Sequence, residues 1–233
     1  MTESIRTAAA GVPATKSDRA YARVRELILS GELAPGAVLN QAVLAQTIGI
    51  STTPLREALR RLKEQGLVEL DAHRNARVAR LDAEEARDLL ELRLSLDPLA
   101  ASLAAHRRTS QDVAEMRAAL AGLETLPPDP TPSQLAAHRR FHAAIYRASH
   151  NALLVATLDG LWDVADRYRR HGLQIERTSE ERDEKAREHA LLFEAIVEGD
   201  AETAEEVMRT HIRTSTGARS AWRLATDPAG STR

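Results

Sequence analysis

Two short stretches carry the side chains best suited to chemistry. In HRRFH, His138 and His142 stand four residues apart, which on a helix is one turn along the same face. Two imidazoles so placed can share one divalent ion. His189, in REHALLFEAI, and His211, in MRTHI, fall in later helical stretches that can turn further imidazoles inward. Spacing alone does not make the four converge, and histidines satisfied in a core or standing in solvent fit the same pattern. The second stretch is TTPLREALRRLKEQGL. Arg56, Arg60 and Lys63 lie opposite Leu55, Ala58, Leu59 and Leu62, so a basic face is held from behind by an apolar one. Such a helix is shaped to enter a DNA major groove, where a bidentate arginine–guanine pair is worth about 1–3 kcal/mol of discrimination. Ser51, Thr52 and Thr53, at its N-terminus, would meet phosphate through hydroxyls, free N–H groups and the helix dipole.

These side chains need elements to aim them. In YARVRELILSGEL, Tyr21, Val24, Leu27 and Ile28 share a helical face, and Gly31 ends the run. APG reads as a turn. Asn40 can cap a second short helix, QAVLAQTIG, with Val43, Leu44 and Ile48 inward. For the basic helix, Thr53 reads as the N-cap, Pro54 as the first helical residue and Gly66 as the stop. LVEL and ARVARL have strand character, and DAHRN between them makes a hairpin tip that would carry His73 and Arg74 to an adjacent groove or backbone. Helix, helix, turn, helix and hairpin spell a winged helix-turn-helix.

The rest of the chain reads as helices alone. Asp82 and Glu85 form a plausible capping pair, and Asp97-Pro98 is expected to restart or kink the helix that follows. Further helical stretches are expected at roughly 109–124, 133–149, 151–171, 180–198 and 200–216, with LPPDPTP as a loop. The fold class is therefore mainly α: an N-terminal winged helix-turn-helix plus a C-terminal all-α antiparallel bundle of about six helices. The division expected is a disordered tail over 1–15, a DNA-binding domain over 16–80, an effector and metal-binding body over 81–218, and a flexible tail over 219–233.

Composition bounds the function. The chain of 233 residues is 43% hydrophobic but only 3% aromatic, so its cores must be built from Ala, Leu, Val and Ile. The absence of cysteine excludes disulfides and thiolate metal sites. No apolar run approaches the roughly 18 residues of a membrane span, and MTESIRTAAAGVPATKSD lacks a signal core, so a cytoplasmic location is expected. The net charge of −2 is unevenly shared. Residues 1–80 hold twelve basic and eight acidic side chains, leaving twenty and twenty-six in the remainder. A basic front on an acidic body suits separate partners for the two halves.

The stretch GELAPGAVLNQAVLAQTIGISTTPLREALRRLKEQGLVEL resembles the DNA-binding domain of the GntR family of bacterial regulators, over about residues 17–80. Two departures stand out: the family usually has arginine where this chain has Thr52, and another where it has Ala42. Asn75 also replaces the customary wing glycine. Residues 82–216, through ELRLSLDPLAASLAA, FHAAIYRASHNALL and EHALLFEAIVEGDAETAEEVMRTHI, are similar to the FCD ligand-binding domain of the FadR subfamily. The resemblance implies metal ligation by His142, His189 and His211, with His138 at the position where the family has an acid. Neutral imidazoles suit Zn²⁺ or Ni²⁺ better than Mg²⁺ or Ca²⁺. It further implies that Arg93 faces an effector cavity, clamping a carboxylate, although pairing with Glu91 or Asp97 is the competing reading. Asn151 can border that cavity or cap a helix, and Arg167 and Tyr168 suit either cavity or interface.

The expectation is a DNA-binding transcription regulator, a repressor, acting as a homodimer on a palindromic double-stranded operator and controlled by a small organic carboxylate beside a divalent transition metal. The alternative is a metal-dependent hydrolase with an accessory DNA-binding domain. An H-E-x-x-H hydrolase carries its general base between the histidines, whereas HRRFH has Arg139 and Arg140 there, and neither accepts a proton. Glu188 neighbours His189, but adjacent helical residues diverge by about 100°.

Overall fold

The computed structural model describes residues 15–70 and 76–226. Helix α1 (Lys16–Leu29) starts at a reciprocal cap in which Thr15 and Asp18 bond each other's backbone N–H. Asn40 caps α2 (Gln41–Thr47), accepting from the Ala42 and Val43 N–H groups. Helix α3 (Thr52–Glu64) follows a four-residue turn containing Gly49 at φ 69°. Its N-cap is Ser51, not Thr53, which corrects the expected start by two residues. Pro54 falls in the first turn all the same, where the N–H that it lacks has no helical partner to lose. Strands β2 (Val68–Leu70) and β3 (Ala76–Val78) pair antiparallel, and β3 also takes β1 (Val38–Leu39) on its other edge. β1 was not foreseen, since two residues carry no period. Val24, Ile28, Leu55, Leu59, Leu62, Leu67 and Val78 fill one core behind the basic helix. The hairpin tip with His73 and Arg74 lies outside the described residues.

The second body is all helical: α4 (Ala83–Arg107), α5 (Ser110–Ala121), α6 (Pro132–Ala148), α7 (Ala152–Leu173), α8 (Ser179–Glu198), α9 (Ala201–Arg213) and α10 (Thr216–Thr226). Of the expected restart or kink at Pro98, the restart does not occur: helix α4 is continuous from Ala83 to Arg107. Proline removes the bond to the carbonyl four residues earlier, Leu94, and Arg209 of α9 donates to that oxygen at 3.4 Å instead. A third correction concerns the tail. Residues 219–226 are helical, because Ala218, Ala221 and Leu224 share a buried face against α4 and α7. Gly172 admits this packing: a Cβ there would lie 1.8 Å from the Thr216 carbonyl oxygen. The main core brings Ala101, Ala104 and Ala105 of α4 against Phe141 and Ile145 of α6, Leu192 and Ile196 of α8, and Met208 and Ile212 of α9. Small residues on α4 let the helices approach closely, as an aromatic-poor chain requires.

Charged groups join the two bodies. Arg167 of α7 donates to the carbonyls of Gly66 (2.9 Å), Ala79 (2.6 Å) and Arg80 (2.7 Å). Asp163, one turn earlier, pairs with Arg25 of α1 on one side and Arg139 of α6 on the other. Tyr168 accepts from the Asp82 N–H at 3.1 Å and donates to Glu85. Arg167 is thus a junction residue, while Tyr168 ties α7 to the start of α4 within the second body.

Candidate metal centre and nucleic-acid interface

The four histidines converge. His138 and His142 come from α6, His189 from α8 and His211 from α9, all are buried, and one ring nitrogen of each lies within 4.8 Å of the others. Each position follows from its helix: the four-residue step aligns the first pair, and α8 and α9 pack antiparallel to supply the second. Tetrahedral ligation at about 2.0–2.1 Å puts donor atoms about 3.3 Å apart, within reach of modest side-chain rotation. His138 Nδ1, both nitrogens of His142 and His189 Nε2 are buried without a hydrogen-bond partner. A buried polar atom left unpaired is costly, and a cluster of such lone pairs is what a cation would satisfy. The residues present fit a divalent ion.

Burial keeps the rings uncharged. Desolvation, then the neighbouring arginines and imidazoles, push His138 and His142 well below the ordinary histidine range, and His189 down to about 2. His211 is lowered by burial too, with Glu188 opposing the shift. Uncharged imidazoles keep the lone pairs that ligation needs. Phe141 and Trp162 wall the cluster, with ring centroids 5.5 and 5.4 Å from His142.

The cluster lines one wall of a cavity that it shares with Arg93, Arg169 and Lys185. Arg93 is buried, lines it and is held by Asp97 at 2.7 Å. Tyr146 donates to the same carboxylate at 2.6 Å. Burial opposes the charge on Arg93, yet Asp97 and Tyr146 hold its pKa above the usual value. Arg169 also faces the cavity, 4.8 Å above the Trp162 ring, and burial and then the positive charge of Arg93 lower its pKa to about 9. Lys185 and Arg177 complete a cationic lining. Arg169, Lys185 and the contact of Glu188 with His211 are what sequence reasoning missed. Glu188 hydrogen-bonds His211 and Lys185 and does not stand beside a ligation position as a base. Asn151 is a helix cap, accepting from the Leu154 N–H.

At the other end of the molecule, Ser51, Thr52, Thr53, Arg56 and Arg60 are exposed along one edge of α3. Ser51 makes no side-chain cap bond, so its hydroxyl and the first-turn N–H groups face outward. Arg56 is steadied by Gln41 of α2 at 3.2 Å. Arg61, exposed on the same helix, lies over the Tyr21 ring and is paired to Asp18, so its charge is already partnered. Both helices of the helix-turn-helix thus support one projecting basic edge.

Comparison with known proteins identifies both domains. Residues 16–78 match the model for bacterial regulatory proteins of the gntR family, and residues 88–214 match the FCD domain. A relative from Streptomyces ambofaciens, described as an uncharacterized HTH-type transcriptional regulator in an unstable DNA locus, is 33% identical over 83% of this chain and 80% of its own. The HTH-type transcriptional repressor GlaR of Escherichia coli is 28% identical over 83% of this chain and 91% of its own. Among solved structures, E. coli McbR/YncC superposes with a TM-score of 0.71 at 26% identity, covering 85% of this chain and 95% of that one. These relatives are regulators and not enzymes. The chain belongs to the GntR family of bacterial regulatory proteins, with an FCD domain behind its DNA-binding module, and it is a DNA-binding transcription regulator.

Proposed function

We propose that this regulator is a repressor whose grip on a palindromic operator is set by a small organic carboxylate bound beside a divalent transition metal, zinc or nickel, held by His138, His142, His189 and His211. One observation carries the reading: four buried, uncharged imidazoles, three of them with unpartnered nitrogens, meet on the wall of a cavity that also contains Arg93 and Arg169. A bound ion would supply a fixed positive anchor for one carboxylate oxygen. Arg93, pre-oriented by Asp97, would orient the carboxylate, and Arg169, itself paired with Asp166, would add positive charge to the same wall. With no acidic ligand among the four, the ion would keep its full formal charge toward the effector.

Residues 16–80 would contact DNA, and the body from 81 onward would sense the ligand. Ser51, Thr52 and Thr53 would meet phosphate and Arg56 and Arg60 the base edges, with His73 and Arg74 at the wing tip reaching alongside. Thr52 and Ala42 provide no charge, so Arg56 carries more of the readout. One such module makes few phosphate contacts and two double them, which favours a homodimer on two half-sites. Leu92 and Leu99, seven residues apart and exposed on α4, form an apolar stripe consistent with a second copy. No helix among the described residues is long and apolar enough to cross a membrane, consistent with work in the cytoplasm.

Transmission would run through the junction. Arg139 follows His138 directly and shares Asp163 with Arg25 of the DNA-binding module, so movement of α6 reaches α1 through one carboxylate. An effector that favours one arrangement of the junction shifts operator affinity by that preference. The test is fluorescence anisotropy on duplexes selected from a random library by the zinc-loaded protein, titrated with a panel of short carboxylic acids. At least one acid should weaken binding tenfold or more, and His142→Ala should abolish the response. Operator affinity that ignores every acid in the panel would count against regulation by this route.

A further inference from the structure

The cluster lacks the acidic ligand usual for its position, yet a buried carboxylate touches one of its rings. Glu188 Oε2 lies 2.7 Å from His211 Nδ1 and 2.7 Å from Lys185 Nζ. A carboxylate only accepts, and Lys185 donates to the same oxygen, so the contact is made by the His211 Nδ1–H and leaves Nε2 as the ring nitrogen free for an ion.

We propose that Glu188 is the positioning residue of the metal centre, fixing His211 as the Nδ1–H tautomer and returning through that ring the negative charge that His138 removes from direct ligation. The assignment rests on the metal-centre reading above. A carboxylate behind a ligating imidazole orients the ring and raises its basicity, and its loss typically weakens metal binding 10- to 100-fold. Lys185 opposes it. Its ammonium binds the same oxygen, also donates to Thr214, and lines the cavity, so it draws electron density away from the ring and faces the effector at once. Glu188 and Lys185 are then antagonists acting through one atom, and their substitutions should have opposite signs. A merely structural pair would give the same sign for both.

The measurement is zinc affinity of the full chain by competition with a chromogenic chelator. Circular dichroism melts of the metal-free proteins show that each variant is folded. Glu188→Gln keeps an acceptor but not the charge and should weaken affinity about tenfold, Glu188→Ala should approach 100-fold, and Lys185→Met should strengthen it several-fold. Nitrogen-15 shifts of His211 in metal-free wild-type protein should show Nδ1 protonated. Affinities of both Glu188 variants within twofold of wild type overturn the assignment, as does a His211 protonated on Nε2. If the wild-type chain takes up no divalent ion, the metal-centre reading fails, while the nitrogen-15 measurement still decides what Glu188 does to the ring.

Discussion

His138 is the residue that sets this site apart. With an acid there, the first shell would offer a hard, charged oxygen; with imidazole, every donor is a neutral nitrogen of intermediate softness. His138→Asp should therefore keep an ion but move preference from zinc and nickel toward manganese, read by competition between the metals in inductively coupled plasma mass spectrometry. His142→Ala, at the centre of the ring contacts, should cut zinc affinity by more than 100-fold. An unchanged metal ranking in His138→Asp would place that ring outside the shell. Of this site, the histidines were legible because a four-residue step survives translation into space, and family resemblance supplied the other two. Arg169 and Lys185 were not. Their directions depend on how α7 and α8 rotate against neighbours, which no local spacing records. Glu188 was read only as the neighbour of His189, although the 100° step between them is what delivers it to the far side of His211.

Among the elements, α3 gives the cleanest test. Arg56 and Arg60 are exposed, so the Arg56→Ala/Arg60→Ala double variant should lose about 30- to 10,000-fold in operator affinity, at about 1–3 kcal/mol per specific base contact, with a melting temperature within a degree or two of wild type. Binding as tight as the parent's would remove α3 from the groove. Helix α10 offers a stability test. Gly172→Ala places a methyl group against the Thr216 carbonyl, and such overpacking typically costs about 1–3 kcal/mol, so the melting midpoint should drop by several degrees. An unshifted midpoint would mean that α10 yields without loss. The helix starts and lengths were largely legible in caps and apolar period. Continuity through Pro98 was not, since the donor that compensates it, Arg209, is 115 residues away in sequence. The end of the chain was misread as frayed because Ala218, Ala221 and Leu224 gain meaning only from the α4–α7 surface that they cover.

For the whole molecule, the junction between modules is where the proposed sensing event would pass to the DNA-binding module. Asp163 is mostly buried between Arg25 and Arg139; burial raises its pKa, but the two guanidiniums outweigh it and hold the pKa below the usual carboxylate value. A lowered folded pKa means that the stabilisation is present above the unfolded value of about 3.9 and is lost as pH falls through the folded one. Asp163→Asn should consequently lower the melting midpoint by a constant amount from pH 5 to 8, with the gap to wild type closing below about pH 4. A gap as wide at pH 3 as at pH 7 would show that the charge is not what holds the junction. The same variant should bind DNA yet respond less to effector, since α6 and α1 no longer share a partner.

Arg167 has a consequence for anyone who recombines such proteins. Three carbonyl oxygens of the DNA-reading module end on a guanidinium that the other module provides. Cut free after residue 80, the reader would carry those oxygens bare, and spliced to a foreign sensor it would inherit whatever stands at the equivalent place. A chimera that brings an arginine to that position should express as a well-folded hybrid; one that brings a leucine should not.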